Sequence, residues 1–129
     1  MFVDASAIVA ILTREDDEPE LIERLRGAGP KTTSGVAVYE AVLALARKTE
    51  GSLTAAVEQV DAFLDLTETQ VVAMPPMVGR DAVAAFESYG KRRHPANLNM
   101  GDCFAYAMAK HLNVPLLYKG DDFAKTDLA

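Results

Sequence analysis

Carboxylates stand in this chain at positions where they are either costly or conspicuous. Asp4 directly follows the apolar pair Phe2-Val3, and Asp102 heads the apolar run from Cys103 to Ala109. Glu40 has Val36 four residues before it and Leu43 three residues after it, so on a helix its carboxylate shares an otherwise apolar face. Asp121 and Asp122 follow Leu116-Leu117-Tyr118 after two intervening residues. Acids gathered at one place repel one another, and a divalent cation relieves that repulsion. Oxygen ligands with no accompanying set of His or Cys suit Mg²⁺ or Mn²⁺ rather than zinc. Magnesium retains waters and leaves positions open for a substrate phosphate. It lowers the pKa of a bound water and stabilises the charge that develops on a leaving oxygen. The chemistry to which this pattern points is phosphodiester hydrolysis.

Each acid also has an ordinary structural use. Asp102 can cap a helix or complement its dipole in the first turn, and Asp4 can cap a helix beginning near Ser6. Glu40 can pair with a surface Arg, and Asp121-Asp122 can form a solvated turn. The functional reading therefore rests on whether the fold brings the acids together.

The apolar pattern predicts how it does so. Phe2-Val3 reads as a short buried strand and Ala5 to Leu12 as a helix. A second helix carries Leu21 and Leu25 on its apolar face and stops at Gly27, Gly29 and Pro30. Lys31-Thr32-Thr33 fits a brief strand that hands over at Ser34 to a helix from Val36 to about Thr49. Leu53, Val57, Val60 and Leu64 mark the face of an amphipathic helix, Gln70 to Met74 a strand, and Val78, Ala82, Phe86 and Tyr89 a further helix ending near Gly90. The helix headed by Asp102 breaks at Asn113-Val114-Pro115, and Leu116-Leu117-Tyr118 forms a last strand. Strands alternating with helices indicate an α/β sandwich with a mostly parallel central sheet flanked by helices. In such sheets the working site lies beyond the carboxyl ends of the strands, where Asp4 and the Asp121-Asp122 pair both fall.

The 129 residues, half of them apolar, suit a single domain, 1–129, with one hydrophobic core. The start Met1-Phe2-Val3-Asp4 is not that of a signal peptide, and no apolar run approaches the roughly 20 residues that cross a bilayer. The expectation is a cytoplasmic protein with no membrane partner. Cys103 is the one cysteine and reads as a small buried hydrophobe. The net charge of −6 argues against a general nucleic-acid coat, because such binding depends on Lys and Arg neutralising phosphates. Charge is nevertheless uneven: Lys91-Arg92-Arg93-His94 forms a basic cluster before Asp102, and Lys119 follows the last strand. These lysines and arginines are candidates for contact with substrate phosphates.

Together Val3-Asp4-Ala5-Ser6-Ala7, the Glu40 helix with its preceding Ser34, Asn99 to Ala107, and Leu116 to Phe123 resemble the PIN-domain ribonucleases, most closely the VapC toxins of toxin–antitoxin pairs. The resemblance spans essentially the whole chain, and the order and spacing of the four blocks make it specific. It implies a PIN-like three-layer sandwich and a Mg²⁺-dependent endoribonuclease, with Mn²⁺ as a possible substitute. Asp4 and Asp102 look like principal metal ligands and Glu40 completes the acidic cluster. Asp121 is the expected fourth acid, with Asp122 the neighbouring alternative. Ser6 resembles the hydroxyl residue that orients the first aspartate. By the same likeness the substrate is structured RNA such as tRNA or ribosomal RNA, and the partners are a cognate antitoxin and a second copy of the chain.

Other classes fit less well. A phospho-acceptor signalling domain needs paired acids after its first strand and an acceptor Asp after a central strand, where this chain has Thr33-Ser34 and Pro75-Pro76. A nucleotide-binding module needs a phosphate loop after the first strand, and Ala5-Ser6-Ala7-Ile8-Val9 is not one. The remaining alternatives are a DNA-directed PIN nuclease and a catalytically silent PIN-like binding module.

Overall fold

Phe2 and Val3 are both fully buried, and as neighbours on a strand their side chains leave on opposite faces. Leu116 and Leu117 repeat the arrangement on the adjacent strand. Val3 and Leu117 join one apolar cluster, while Phe2 and Leu116 join another. Two strands of two residues each thus seed two cores, one on each face of a sheet.

The structure is a computed structural model and describes residues 1–128. In chain order the elements are β1 (Phe2–Val3), α1 (Ala5–Leu12), α2 (Glu18–Gly27), β2 (Lys31–Ser34), α3 (Gly35–Thr49), α4 (Leu53–Thr67), β3 (Thr69–Val72), α5 (Pro76–Tyr89), α6 (Met100–Leu112) and β4 (Leu116–Leu117), followed by a 3₁₀ turn at Phe123–Lys125. The sheet order is β3-β2-β1-β4 and every pairing is parallel. Helices α1 to α4 supply the first core, and α5 and α6 supply most of the second. The result is the expected three-layer sandwich. After β1 the chain moves outward to β2 and β3, then returns to place β4 on the other side of β1. The reversal point between β1 and β4 is where a parallel sheet opens a crevice at its carboxyl edge.

Local signals fix the helix starts. The Ser34 hydroxyl accepts a hydrogen bond from the N–H of Ala37 at 3.2 Å, and Ser52 accepts from Ala55 at 3.0 Å. Three details differ from the sequence pattern. The buried side of α4 is Ala56, Val60, Phe63 and Leu64, leaving Leu53 56% and Val57 42% exposed. The small Ala56 packs inward where the larger flanking residues remain at the rim. On α5, likewise, Ala85 is buried and Phe86 is 38% exposed. Asp102 does not begin its helix: Asn99 is the N-cap, and Asp102 is the third residue of α6.

Among the described residues, no helix is long and apolar enough to cross a membrane.

Candidate active site

Asp4 leaves β1 with its N–H bonded to the carbonyl of Leu117 on β4 at 2.9 Å, so the reversal point of the sheet sets its backbone. Its side chain caps α1. Oδ2 accepts from the Ser6 N–H at 3.0 Å and from the Ser6 hydroxyl at 2.5 Å. The Ser6 oxygen in turn accepts from the N–H of Lys119 at 3.0 Å, which joins the loop after β4 to the first aspartate. Asp4 is 3% exposed, and burial raises its pKa above the usual carboxylate value; the charge of Asp122 adds to the rise while the Ser6 hydrogen bonds oppose it.

Asp102 is held by a reciprocal capping box. Its N–H donates to Asn99 Oδ1 at 2.9 Å, and its Oδ2 accepts from the Asn99 N–H at 3.0 Å. The box engages only one of its two carboxylate oxygens, so capping and a ligand role are compatible in one residue. Burial pushes Asp102 up to about 6, with Asp4 and Asp122 contributing like-charge repulsion against the bond from Asn99. Glu40 approaches from α3. Burial, then the charges of Asp4 and Asp102, push it up to about 7. The residue before Asp102 permits this approach: a Cβ at Gly101 would lie 1.8 Å from Glu40 Oε2. The side of α3 around Glu40 is not core, since Tyr39 is 63% and Leu43 37% exposed.

Asp4, Glu40 and Asp102 line one open groove of about 560 Å³ with Ser6, Asn99 and Lys119. After the last strand come Asp121, the expected fourth acid, and its neighbour Asp122. The charge of Asp122 adds slightly to the rise at both Asp4 and Asp102, and Asp121 and Asp122 are both exposed. Neither side chain lines the groove. The left-handed Gly120, at φ 97°, turns the chain just before them.

The basic residues are also redistributed. Lys119 lines the groove, whereas Lys91, Arg92 and Arg93 do not. Arg93 instead places its guanidinium 5.4 Å from the centre of the Phe86 ring. The groove's other cations are Arg47 and Lys48, which sequence reasoning overlooked. Their signal was present, because residues seven and eight positions after Glu40 return to its side of the helix. Glu15 also lines the groove, hydrogen-bonded to Lys119 at 2.8 Å and to Lys48. No local pattern marks it, since its partners lie far away in the chain.

The donor set fits a hard, oxygen-preferring cation. Among the described residues no group of three or more acid, His or Cys side chains is disposed to hold a metal ion. Magnesium does not require one, being held through one or two carboxylates with waters and substrate phosphate completing its sphere. Asp4 and Asp102 meet that requirement, with Glu40 beside them; burial raises all three pKa values, neighbouring carboxylate charge adds to each rise, and a cation would relieve both. Cys103 offers no competing soft ligand, its buried thiol being pushed up to about 11 by burial.

Comparison with known proteins agrees with this architecture. The PIN domain family model matches residues 1–128. A VapC ribonuclease of Rhizobium meliloti is 43% identical, covering 98% of both chains, and the ribonuclease VapC of Mycolicibacterium smegmatis is 39% identical over 100% of this chain and 98% of its own. Ribonuclease VapC30 of Mycobacterium tuberculosis is 36% identical over 100% of this chain and 96% of its own. In fold, the chain is similar to the crystal structure of Mycobacterium tuberculosis VapC20, described as a sarcin-ricin loop cleaving toxin, with a TM-score of 0.71 at 18% identity, covering 95% of this chain and 92% of that one. The chain therefore belongs to the PIN-domain family, among the VapC ribonucleases.

Proposed function

We propose that the protein is the toxin of a toxin–antitoxin pair, a Mg²⁺-dependent endoribonuclease that hydrolyses structured RNA such as tRNA or ribosomal RNA in the cytoplasm. The observation that carries the reading is the convergence of Asp4, Glu40 and Asp102 on one groove, each with its pKa raised by burial and by neighbouring charge. Asp4 and Asp102 would hold the cation, with Glu40 joining directly or through water, and Asp121 or its neighbour Asp122 would be the fourth acid. A bound Mg²⁺ supplies Lewis acidity to the attacking water and to the phosphate.

The chain's own residues do the positioning. Ser6 fixes one oxygen of Asp4, and Asn99 fixes one oxygen of Asp102, so both carboxylates are oriented before substrate arrives. Glu40, beside the two ligands in the groove, would accept a proton from the water. The water oxygen bonds to phosphorus, the bond from phosphorus to one ribose oxygen breaks, and that oxygen takes a proton from solvent while Glu40 returns its own to solvent. The partners in this reading are RNA, a cognate antitoxin and a second copy of the chain.

The test is cleavage of total cellular RNA by purified protein with Mg²⁺, with EDTA, and with Asp102→Asn, fragment ends being read by sequencing. The expected result is metal-dependent cutting at a few sites, reduced roughly 100-fold or more by the substitution. Equal activity of wild type and variant would overturn the assignment, as would inertness on RNA in both Mg²⁺ and Mn²⁺.

A further inference from the structure

At the end of the groove lies a cluster whose members come from three separate stretches of chain. Helix α1 closes through Arg14, at φ 52°, and the Glu15 N–H bonds the Ala10 carbonyl at 2.9 Å, which gives Glu15 a defined place. One of its oxygens, Oε1, takes the Lys48 ammonium from the last turn of α3. The other, Oε2, takes the Lys119 ammonium from the loop after β4 at 2.8 Å. Asp17 Oδ1 is buried without a hydrogen-bond partner among the described residues, and the same Lys119 ammonium is 3.8 Å from it.

Two features suggest more than a surface ion pair. The lysines are brought together across the chain at the wall of the groove that holds the acids, with Arg47 beside them. Lys119 is also tied to the acids through its own backbone, whose N–H holds the Ser6 oxygen that orients Asp4. A carboxylate bridging two ammonium groups through its two oxygens has the form in which a phosphodiester presents its two non-bridging oxygens.

We propose that Glu15 occupies a phosphate seat: its carboxylate stands where Lys48 and Lys119 hold a backbone phosphate of the RNA next to the one being cut. The proposal rests on the ribonuclease reading and extends it to a named binding contact. Exposed ion pairs are weak and screened by salt, so an incoming phosphate displaces the carboxylate and keeps the lysines. The empty seat meanwhile carries its own counter-charge, which prevents two ammonium groups at the groove from repelling each other.

The test uses the full chain carrying Asp102→Asn in EDTA, binding a fluorescein-labelled RNA hairpin at several salt concentrations. Lys48→Gln and Lys119→Gln should each weaken binding, and together lower the slope of log affinity against log salt by about 0.7, the share of one phosphate in a single strand. Glu15→Gln should tighten binding about 3- to 10-fold, because a phosphate no longer competes with a carboxylate. That gain should vanish when both lysines are Gln, a non-additivity that general charge repulsion does not produce. Glu20→Gln, exposed on α2, controls for net charge. With Asp102 restored, the lysine substitutions should raise KM and leave kcat nearly unchanged.

A Glu15→Gln protein that binds no better than Glu20→Gln overturns the seat, and so does a gain that persists without the lysines. If wild type cleaves RNA in either case, the ribonuclease reading survives. A wild type that neither binds nor cleaves RNA overturns both.

Discussion

Ser6 is the smallest part of the site with a separable effect. Its hydroxyl donates to Asp4 and accepts from Lys119, so Ser6→Ala leaves the aspartate held by the backbone alone and the Lys119 N–H without its partner. We expect cleavage to fall about 10- to 100-fold, with a stability cost of only about 1 kcal/mol. Ser6→Thr, which retains the hydroxyl, should recover most of the activity; kinetics and thermal melting check both. The acids themselves imply a pH dependence. Glu40 rises from 4.5 to about 7, and Asp102 from 3.8 to about 6. Groups whose folded pKa is raised hold protons more tightly in the folded state. Their stabilisation is fully present below their unfolded values and is lost as pH rises through about 6 and then about 7. Metal-free protein should therefore melt at a higher temperature at about pH 5 than at about pH 8. Added Mg²⁺ should raise the melting temperature more at the higher pH, where no proton competes for the carboxylates. Calorimetry in EDTA and in Mg²⁺ decides this, and a Mg²⁺ effect that does not vary with pH would remove these acids from the metal site.

At the scale of elements, the site depends on how closely α6 passes α3. Gly101 lies at that approach, and its missing side chain leaves room for the Glu40 carboxylate. Gly101→Ala should displace Glu40 and reduce cleavage between roughly 10- and 100-fold. Global stability should change little, because alanine's higher helix propensity, worth up to about 1 kcal/mol, offsets the local crowding. Gly79→Ala on α5 is the control, since an added Cβ there meets nothing within 4 Å. It should leave cleavage intact and hold or raise the melting temperature. Helix α3 gives the groove its wall through a continuous side of the helix: Tyr39, Glu40, Leu43, Ala44, Arg47 and Lys48 all line it. Apolar periodicity located Glu40 on that helix. It missed the cations because their side of α3 borders a groove and not the core.

For the molecule as a whole, two short central strands support both cores, so damage to either strand spreads to both faces of the sheet. Phe2 is fully buried in the cluster shared with α5 and α6, away from the Val3 cluster. Phe2→Ala should destabilise by about 3 to 5 kcal/mol, and urea unfolding measures it. Because β1 also sets the Asp4 backbone, cleavage should decline along with stability. The sequence by itself determined the order of strands and helices, the parallel α/β class, and the candidacy of Asp4, Glu40 and Asp102. These depend on local matters: apolar periodicity, breakers, and an acid placed beside apolar neighbours. Tertiary structure alone decided that Lys91 to Arg93 lie off the groove, and that Glu15 gathers Lys48 and Lys119 from 33 and 104 residues away. A charged side chain leaves no periodic trace of its partner, and that partner is fixed only when distant segments pack.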